Sequence, residues 1–245
     1  MTSHWEIAKK NFVKLKDNPY PGRGMVVGLS SVGKFLVLVY WIMGRGENSR
    51  NRVFCHDGKG RVFTEAADPA KVTDPRNIIY NAMMEGGGIY VVSNGVQTDA
   101  VVTGLVSGMT FSQLLAGFKY EDDPPNSTSR ITAVCGISSG GGCVEFSLLR
   151  KSFLGDSCDR LTFCYDQLDA GLGLCMTTYM GDGNPLPAFI GEPYLLPIDS
   201  NNIYTVAKEF WEALNEANRV ALVVKFVDLS TGTSTVKIIN KYRKV

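Results

Sequence analysis

Apolar, β-rich runs in this chain come in pairs, joined by connections too short to hold a helix. Met25–Leu29 and Phe35–Ile42 flank the link SSVGK. Arg52–His56 and Arg61–Thr64 flank a turn marked by Asp57-Gly58 and Gly60. Arg130–Ser138 and Cys143–Leu149 flank SGGG, and Val220–Asp228 and Ser234–Lys241 flank a Thr-Gly turn. Two such runs with a turn between them read as a hairpin, whereas parallel neighbours need a long crossover. The pattern therefore predicts an α+β fold with mainly antiparallel sheets and a few helices, not a doubly wound parallel sheet. The 26 glycines suit a chain with many turns.

Three segments carry helical spacing. Trp5, Ala8, Phe12 and Leu15 recur on one face, with Ser3 as a cap and Asn18-Pro19 as the stop. Thr110 caps a short helix to Phe118. Ile203, Val206, Ala207, Phe210 and Leu214 form the strongest amphipathic stripe. Ile89–Ser93, Arg160–Tyr165 and Leu174–Tyr179 continue the sheet pattern, while Asn77–Met84 fits a strand or a short helix. MGDGNPLPAFIGEPYLLP reads as a long loop. With no repeat or linker, residues 1–245 are expected to form a single domain, with a helical extension over about 1–18.

Charge excludes some partners. The 25 Lys and Arg balance 24 Asp and Glu, which argues against a nucleic-acid coat or a polybasic membrane anchor. The start MTSHWEIAKKNFVKLK lacks an apolar signal region, and the run Phe35–Met43 is far short of the ~20 residues a membrane span needs. A soluble, cytoplasmic protein is expected. Its six cysteines, Cys55, Cys135, Cys143, Cys158, Cys164 and Cys175, are too sparse for a disulfide framework and show no CxxC spacing. With only His4 and His56 to help, reduced thiols and no metal site are expected.

Familiar catalytic motifs fit poorly. The glycines of GRGMVVG precede a strand, whereas a dinucleotide fingerprint follows one. SSGGGC lacks a P-loop lysine, and neither histidine has the context of a nucleophile triad. The acidic run Glu121-Asp122-Asp123 reads by default as a solvated loop. The segment GRGENSRNR is different. It follows an apolar strand and gathers Arg45, Asn48, Arg50, Asn51 and Arg52. Arginine forks match phosphate oxygens, so the segment is either a phosphate clamp or a solvated loop. Arg23 lies at the mouth of the first strand. Asn94, Gln97 and Asp99 follow IYVVS, where Asn94-Gly95 also suits a plain turn. Asn126, Thr128 and Arg130 open RITAV, and Tyr179 ends GLCMTTY.

Read together, these segments resemble the archaeal-type IMP cyclohydrolases and their bacterial relatives. The matching stretches are PYPGRGMVVG (19–28), YWIMGRGENSRNRVF (40–54), DPRNIIYNAM (74–83), VVSNGVQTD (91–99), YEDDPPNSTSRITAV (120–134) and TTYMGDGNPLPAF (177–189). They occur in family order. The resemblance implies a fold similar to the N-terminal nucleophile hydrolases: a four-layer α/β/β/α sandwich of two mainly antiparallel sheets. It implies closure of 5-formamidoimidazole-4-carboxamide ribotide to inosine monophosphate with loss of water, and neither organic cofactor nor metal. A purine ribonucleotide is then the partner, with room for a homo-oligomer.

By the same resemblance, Arg23, Arg45, Arg50 and Arg52 supply phosphate and ribose contacts, Arg52 foremost. Asn48 and Asn51 add neutral donors. Asn94 and Asp99 face the carboxamide and imidazole edge, and Tyr179 donates to the formyl oxygen. Asn126, Thr128 and Arg130 resemble an Asn-Thr-x-Arg region, with Ser127 as an extra residue. Gln97 stands where archaeal members read histidine. Two other readings stay open: a non-catalytic nucleotide-binding relative, and an N-terminal nucleophile amidohydrolase using Thr2. The second is disfavoured by the residues that precede the Tyr-Pro-Gly-Arg motif.

Overall fold

The computed structural model describes residues 2–72, 74–136 and 143–243. Helix α1 (His4–Asp17) begins with a reciprocal capping box: Glu6 N–H donates to Ser3 Oγ, and Ser3 N–H donates to the Glu6 carboxylate. It stops at Asn18, where the following proline disfavours helical backbone.

Two sheets follow. The first contains β1 (Gly24–Leu29), β2 (Phe35–Met43), β10 (Leu172–Thr177), β11 (Tyr194–Pro197), β12 (Arg219–Asp228) and β13 (Ser234–Asn240), in the order β11-β10-β1-β2-β12-β13. The second is a meander of β3 (Val53–His56), β4 (Val62–Glu65), β5 (Asn81–Gly86), β6 (Ile89–Ser93), β7 (Arg130–Gly136), β8 (Val144–Lys151) and β9 (Cys158–Tyr165), neighbours in chain order. Neighbouring strands pair antiparallel throughout both.

The unbroken apolar run of β2 is explained by burial on both faces. Leu36, Leu38, Tyr40 and Ile42 point into the core between the sheets. Val37, Val39, Trp41 and Met43 point outward, beneath α1 and α5 (Ile203–Ala213). Fully burying such a side chain contributes roughly 1.5–3 kcal/mol, so β2 holds its place from both sides. Edge strand β9 alternates instead: Leu161, Phe163 and Tyr165 pack on the inner core, and the intervening residues face out. On the outer face of the second sheet, α3 (Gln97–Val106) and α4 (Phe111–Leu115) bury Val101, Val102, Phe111 and Leu115 against Val91, Val134 and Leu149. The result is an α/β/β/α layering, as expected for the α+β class.

The differences from the sequence reading are local. Helix α3 carries no clear helical signal, because Val and Thr dominate it and favour strands; packing on the sheet overrides that propensity. Asn94-Gly95 therefore leads into a helix and not a hairpin. Asn77–Met84 resolves as a loop feeding β5. β10 pairs with β1, in the opposite sheet from β9. Residues 137–142, which include all of SSGGGC but its cysteine, lie outside the described residues. Among the described residues no helix is long and apolar enough to cross a membrane.

Candidate active site

A cavity of about 450 Å³ opens where the chain enters β1, leaves β2 and approaches β3 and β7. That volume is in the range of small-ligand sites. Its guanidinium groups come from Arg23, Arg45 and Arg52, and its carboxylates from Asp74 and Glu121–Asp123.

The arginine-rich segment is ordered by one helical turn, α2 (Glu47–Arg50). Successive residues rotate by about 100° along such a turn. Asn48, Ser49 and Arg52 consequently line the cavity, while Glu47, Arg50 and Asn51 face a separate groove with Asp68 and Lys71. Arg50 Nε donates to Gly44 O at 3.0 Å. The Asn51 amide clamps Asp68, donating to its carbonyl at 2.8 Å and accepting its N–H at 2.7 Å. The reading of all five residues as one clamp is corrected accordingly: Arg50 and Asn51 hold the loop from behind.

Arg52 is only 4% exposed. Its Nε donates to Ser49 O at 2.8 Å and its Nη2 to Met43 O at 3.3 Å. Among the described residues no carboxylate lies within ion-pairing distance of it. Burial pulls its pKa below the usual guanidinium value. Arginine does not give up its proton, so a buried cation faces the cavity without a counter-ion. An anion placed there would relieve that cost.

Arg23 is differently arranged. Its Nη2 donates to Glu121 Oε2 at 2.6 Å and its Nη1 to Asn94 O at 3.2 Å. Burial alone would depress Arg23, but the adjacent Glu121 carboxylate, with Tyr80 and Tyr40, raises its pKa well above the usual guanidinium value. Glu121 is 2% exposed, and burial raises its pKa against the pull of Arg23 and Arg130. Its Oε1 has no hydrogen bond; Arg130 Nη1 stands off at 3.7 Å. This buried carboxylate is the residue that sequence reasoning missed. An acidic run beside two prolines looks solvated, and no local pattern signals that β7 carries Arg130 behind it.

Tyr179 sits just past β10, its N–H donating to Pro21 O at 3.2 Å. Its ring stacks on Tyr20, centroids 6.1 Å apart, and the Arg45 guanidinium covers Tyr20 at 4.8 Å. Gly22 permits this arrangement: its φ is +74°, and a Cβ there would lie 2.3 Å from Thr178 Oγ1 and 2.4 Å from the Tyr179 ring. Arg45 also pairs with Asp182. The Tyr179 hydroxyl contacts Thr128 Oγ1, which contacts the Asp123 carboxylate. An ionised carboxylate only accepts, so Thr128 donates to Asp123 and Tyr179 donates to Thr128. Burial pushes the Tyr179 pKa well above the ordinary phenol value, which keeps it protonated.

Asn126, which also lines the cavity, accepts from Leu186 N–H at 3.2 Å. The inserted Ser127 has a φ of +48°, a left-handed conformation that closes the loop tip.

Three expected contacts do not line the cavity. Asn94 is fully buried; its Oδ1 accepts from Ile131 N–H at 2.8 Å and its Nδ2 donates to Ser129 O at 2.8 Å. It ties β6 to β7 and aims Arg23 through its carbonyl. Arg130 backs Glu121, with Nε donating to Lys119 O at 3.0 Å. Gly95 leaves space for it, since a Cβ there would lie 2.1 Å from Arg130 Nη1. Asp99 is exposed on the first turn of α3 and accepts from Asn81 Nδ2 at 2.7 Å, beside a different, smaller cavity. Gln97 is buried against Asn94, Thr132 and Arg130, so it supports the site without lining it. Thr2 is not part of the lining.

The sequence profile of the family described as IMP cyclohydrolase-like protein matches residues 20–232. The chain belongs to the IMP cyclohydrolase-like family. The match begins after α1 and spans every segment that lines the cavity. No curated protein matches the chain. Three arginines, a buried carboxylate and a phenol converge on that cavity.

Proposed function

We propose that the protein closes 5-formamidoimidazole-4-carboxamide ribotide to inosine monophosphate. The observation that carries this reading is Arg52, a buried cation without a carboxylate partner among the described residues, facing a cavity of nucleotide size. The substrate phosphate meets Arg52, with Asn48, Ser49 and Arg45 around it. The carboxamide then points toward Glu121, whose free Oε1 accepts an N–H.

Nucleophile and electrophile already share one molecule, so positioning supplies much of the acceleration. The carboxamide nitrogen attacks the formyl carbon. Two protons leave nitrogen, one from the carboxamide on attack and one from the formamide N–H as the C=N bond forms; Glu121 takes them up in turn, and the formyl oxygen gains both and leaves as water. Tyr179 serves this oxygen. Its high pKa makes it a steady hydrogen-bond donor that reorients from Thr128 to the charge developing on that oxygen.

The test is turnover of purified protein with the formylated ribotide, followed by absorbance as the product forms. Rates well above uncatalysed closure support the proposal. Product binding without turnover favours a nucleotide-binding relative, and neither activity nor binding overturns both. Tyr179→Phe should lower kcat by about 100–1000-fold, the range for loss of one transition-state donor, while affinity for inosine monophosphate changes little. An equal loss in affinity would make Tyr179 a binding group only.

A further inference from the structure

The antiparallel register of β8 and β9 assembles a cluster that chain spacing hides. Val144 pairs with Tyr165, and Glu145 with Cys164. Side chains alternate along a strand, so Cys143, Glu145, Cys164 and Asp166 share one face. It is the outer face, because Val144, Phe146, Phe163 and Tyr165 pack into the inner core. Cys143 Sγ and Cys164 Sγ are 3.4 Å apart, and one ligand atom each from Cys143, Cys164 and Asp166 lie within 4.8 Å of one another. Gly136 N–H donates to Cys143 O at 3.4 Å, which fixes the cysteine backbone to β7.

We infer that Cys143, Cys164 and Asp166 bind one thiophilic divalent cation of the zinc type. Two thiolates and a carboxylate are a suitable donor set for such an ion, and water or Glu145 can complete four-coordination. With metal–sulfur bonds of about 2.3 Å, tetrahedral geometry sets the sulfurs roughly 3.8 Å apart. The observed separation differs from that by a few tenths of an ångström, whereas a disulfide requires closure to about 2.05 Å. The two carboxylates, Glu145 and Asp166, also favour a cation. On binding, two S–H protons leave to solvent, and two metal–sulfur bonds and one metal–oxygen bond form.

The site is remote from the cavity. Arg130, which backs Glu121, pairs with Leu149, whereas Cys135 at the other end of β7 pairs with Val144 beside Cys143. A metal here is therefore structural or regulatory, and not part of the ring closure.

Cadmium titrated into the full, phosphine-reduced chain tests the proposal through the thiolate-to-metal charge-transfer band. One equivalent should bind, with zinc competing. Cys143→Ser and Cys164→Ser should each weaken it at least about 100-fold, and Asp166→Asn about 10-fold, as for loss of a ligand or its close support. Turnover without added metal should be unchanged in Cys143→Ser. An unchanged band in Cys143→Ser would move the metal to another cysteine and overturn the assignment. So would absence of binding at micromolar cadmium, or a reduced chain that closes a Cys143–Cys164 disulfide and takes up no metal.

Discussion

Arg52→Ala is expected to weaken binding of inosine monophosphate about 100-fold, because two charge-assisted hydrogen bonds of roughly 1.5–3 kcal/mol are removed and partly replaced by water. The fold should survive. Among the described residues the Arg52 side chain makes two hydrogen bonds, both to backbone carbonyls of its own loop region, Ser49 O and Met43 O. Their loss, at about 1 kcal/mol each, is offset by removal of an unpaired buried charge. A melting shift of no more than about 4 °C follows for a chain of this size. Arg52→Lys keeps the charge and loses the planar fork, so an intermediate loss is expected. Arg50→Ala is the decisive comparison. It lies two residues away on the opposite side of the α2 turn, and its nucleotide affinity should stay within about twofold of the parent. Equal losses in Arg50→Ala and Arg52→Ala, measured by calorimetric titration, would sink the assignment of faces.

That contrast shows where the sequence was legible. The hairpins are local: their turns and alternating runs specify β1–β2, β3–β4 and β12–β13 without reference to distant parts of the chain. The capped helices α1, α4 and α5 are equally local. Residue types single out GRGENSRNR, and Arg23, Arg45, Asn48, Arg52, Asn126, Thr128 and Tyr179 do line one cavity. The sequence does not say which side of a short helical turn each arginine takes. A single 100° step separates lining from support, and the turn is too short to leave a pattern.

Long-range pairing hides the rest. Asn94 resembles a contact residue, yet its amide is consumed by Ser129 and Ile131 on the neighbouring strand. Asp99 looks adjacent to Asn94 in the chain, but α3 turns it toward Asn81. Glu121 shows the reverse case. Its neighbours in sequence are those of a solvated loop, and its neighbours in space are Arg23 and Arg130. Cys143 and Cys164 follow the same logic: strand register, not spacing along the chain, brings them together. Buried polar groups are costly unless paired, so such pairings are specific in the fold and invisible to any local window.

Glu121→Gln is expected to cut kcat by about 1000-fold, within the range for loss of a positioned general base. Glutamine keeps the shape and a hydrogen-bond acceptor for Arg23, so product affinity should fall by less than about 10-fold. The pH profile separates a proton-transfer role from a structural one. Burial raises the Glu121 pKa, although Arg23 opposes the shift. A base acts when deprotonated, so kcat/KM should rise with pH through a limb above the ordinary glutamate range. Glu121→Gln should lose that limb, and Glu121→Asp should retain it at a lower rate. Stability runs the other way. A pKa raised in the folded state means that folding favours the protonated form. The stability it contributes is fully present below the unfolded pKa and is lost as pH rises through the folded one. Across one window the parent should therefore gain activity and lose melting temperature, while Glu121→Gln does neither. A parent profile without the raised limb, or a Glu121→Gln enzyme that keeps it, would assign the proton to another group and leave Glu121 as the counter-ion of Arg23.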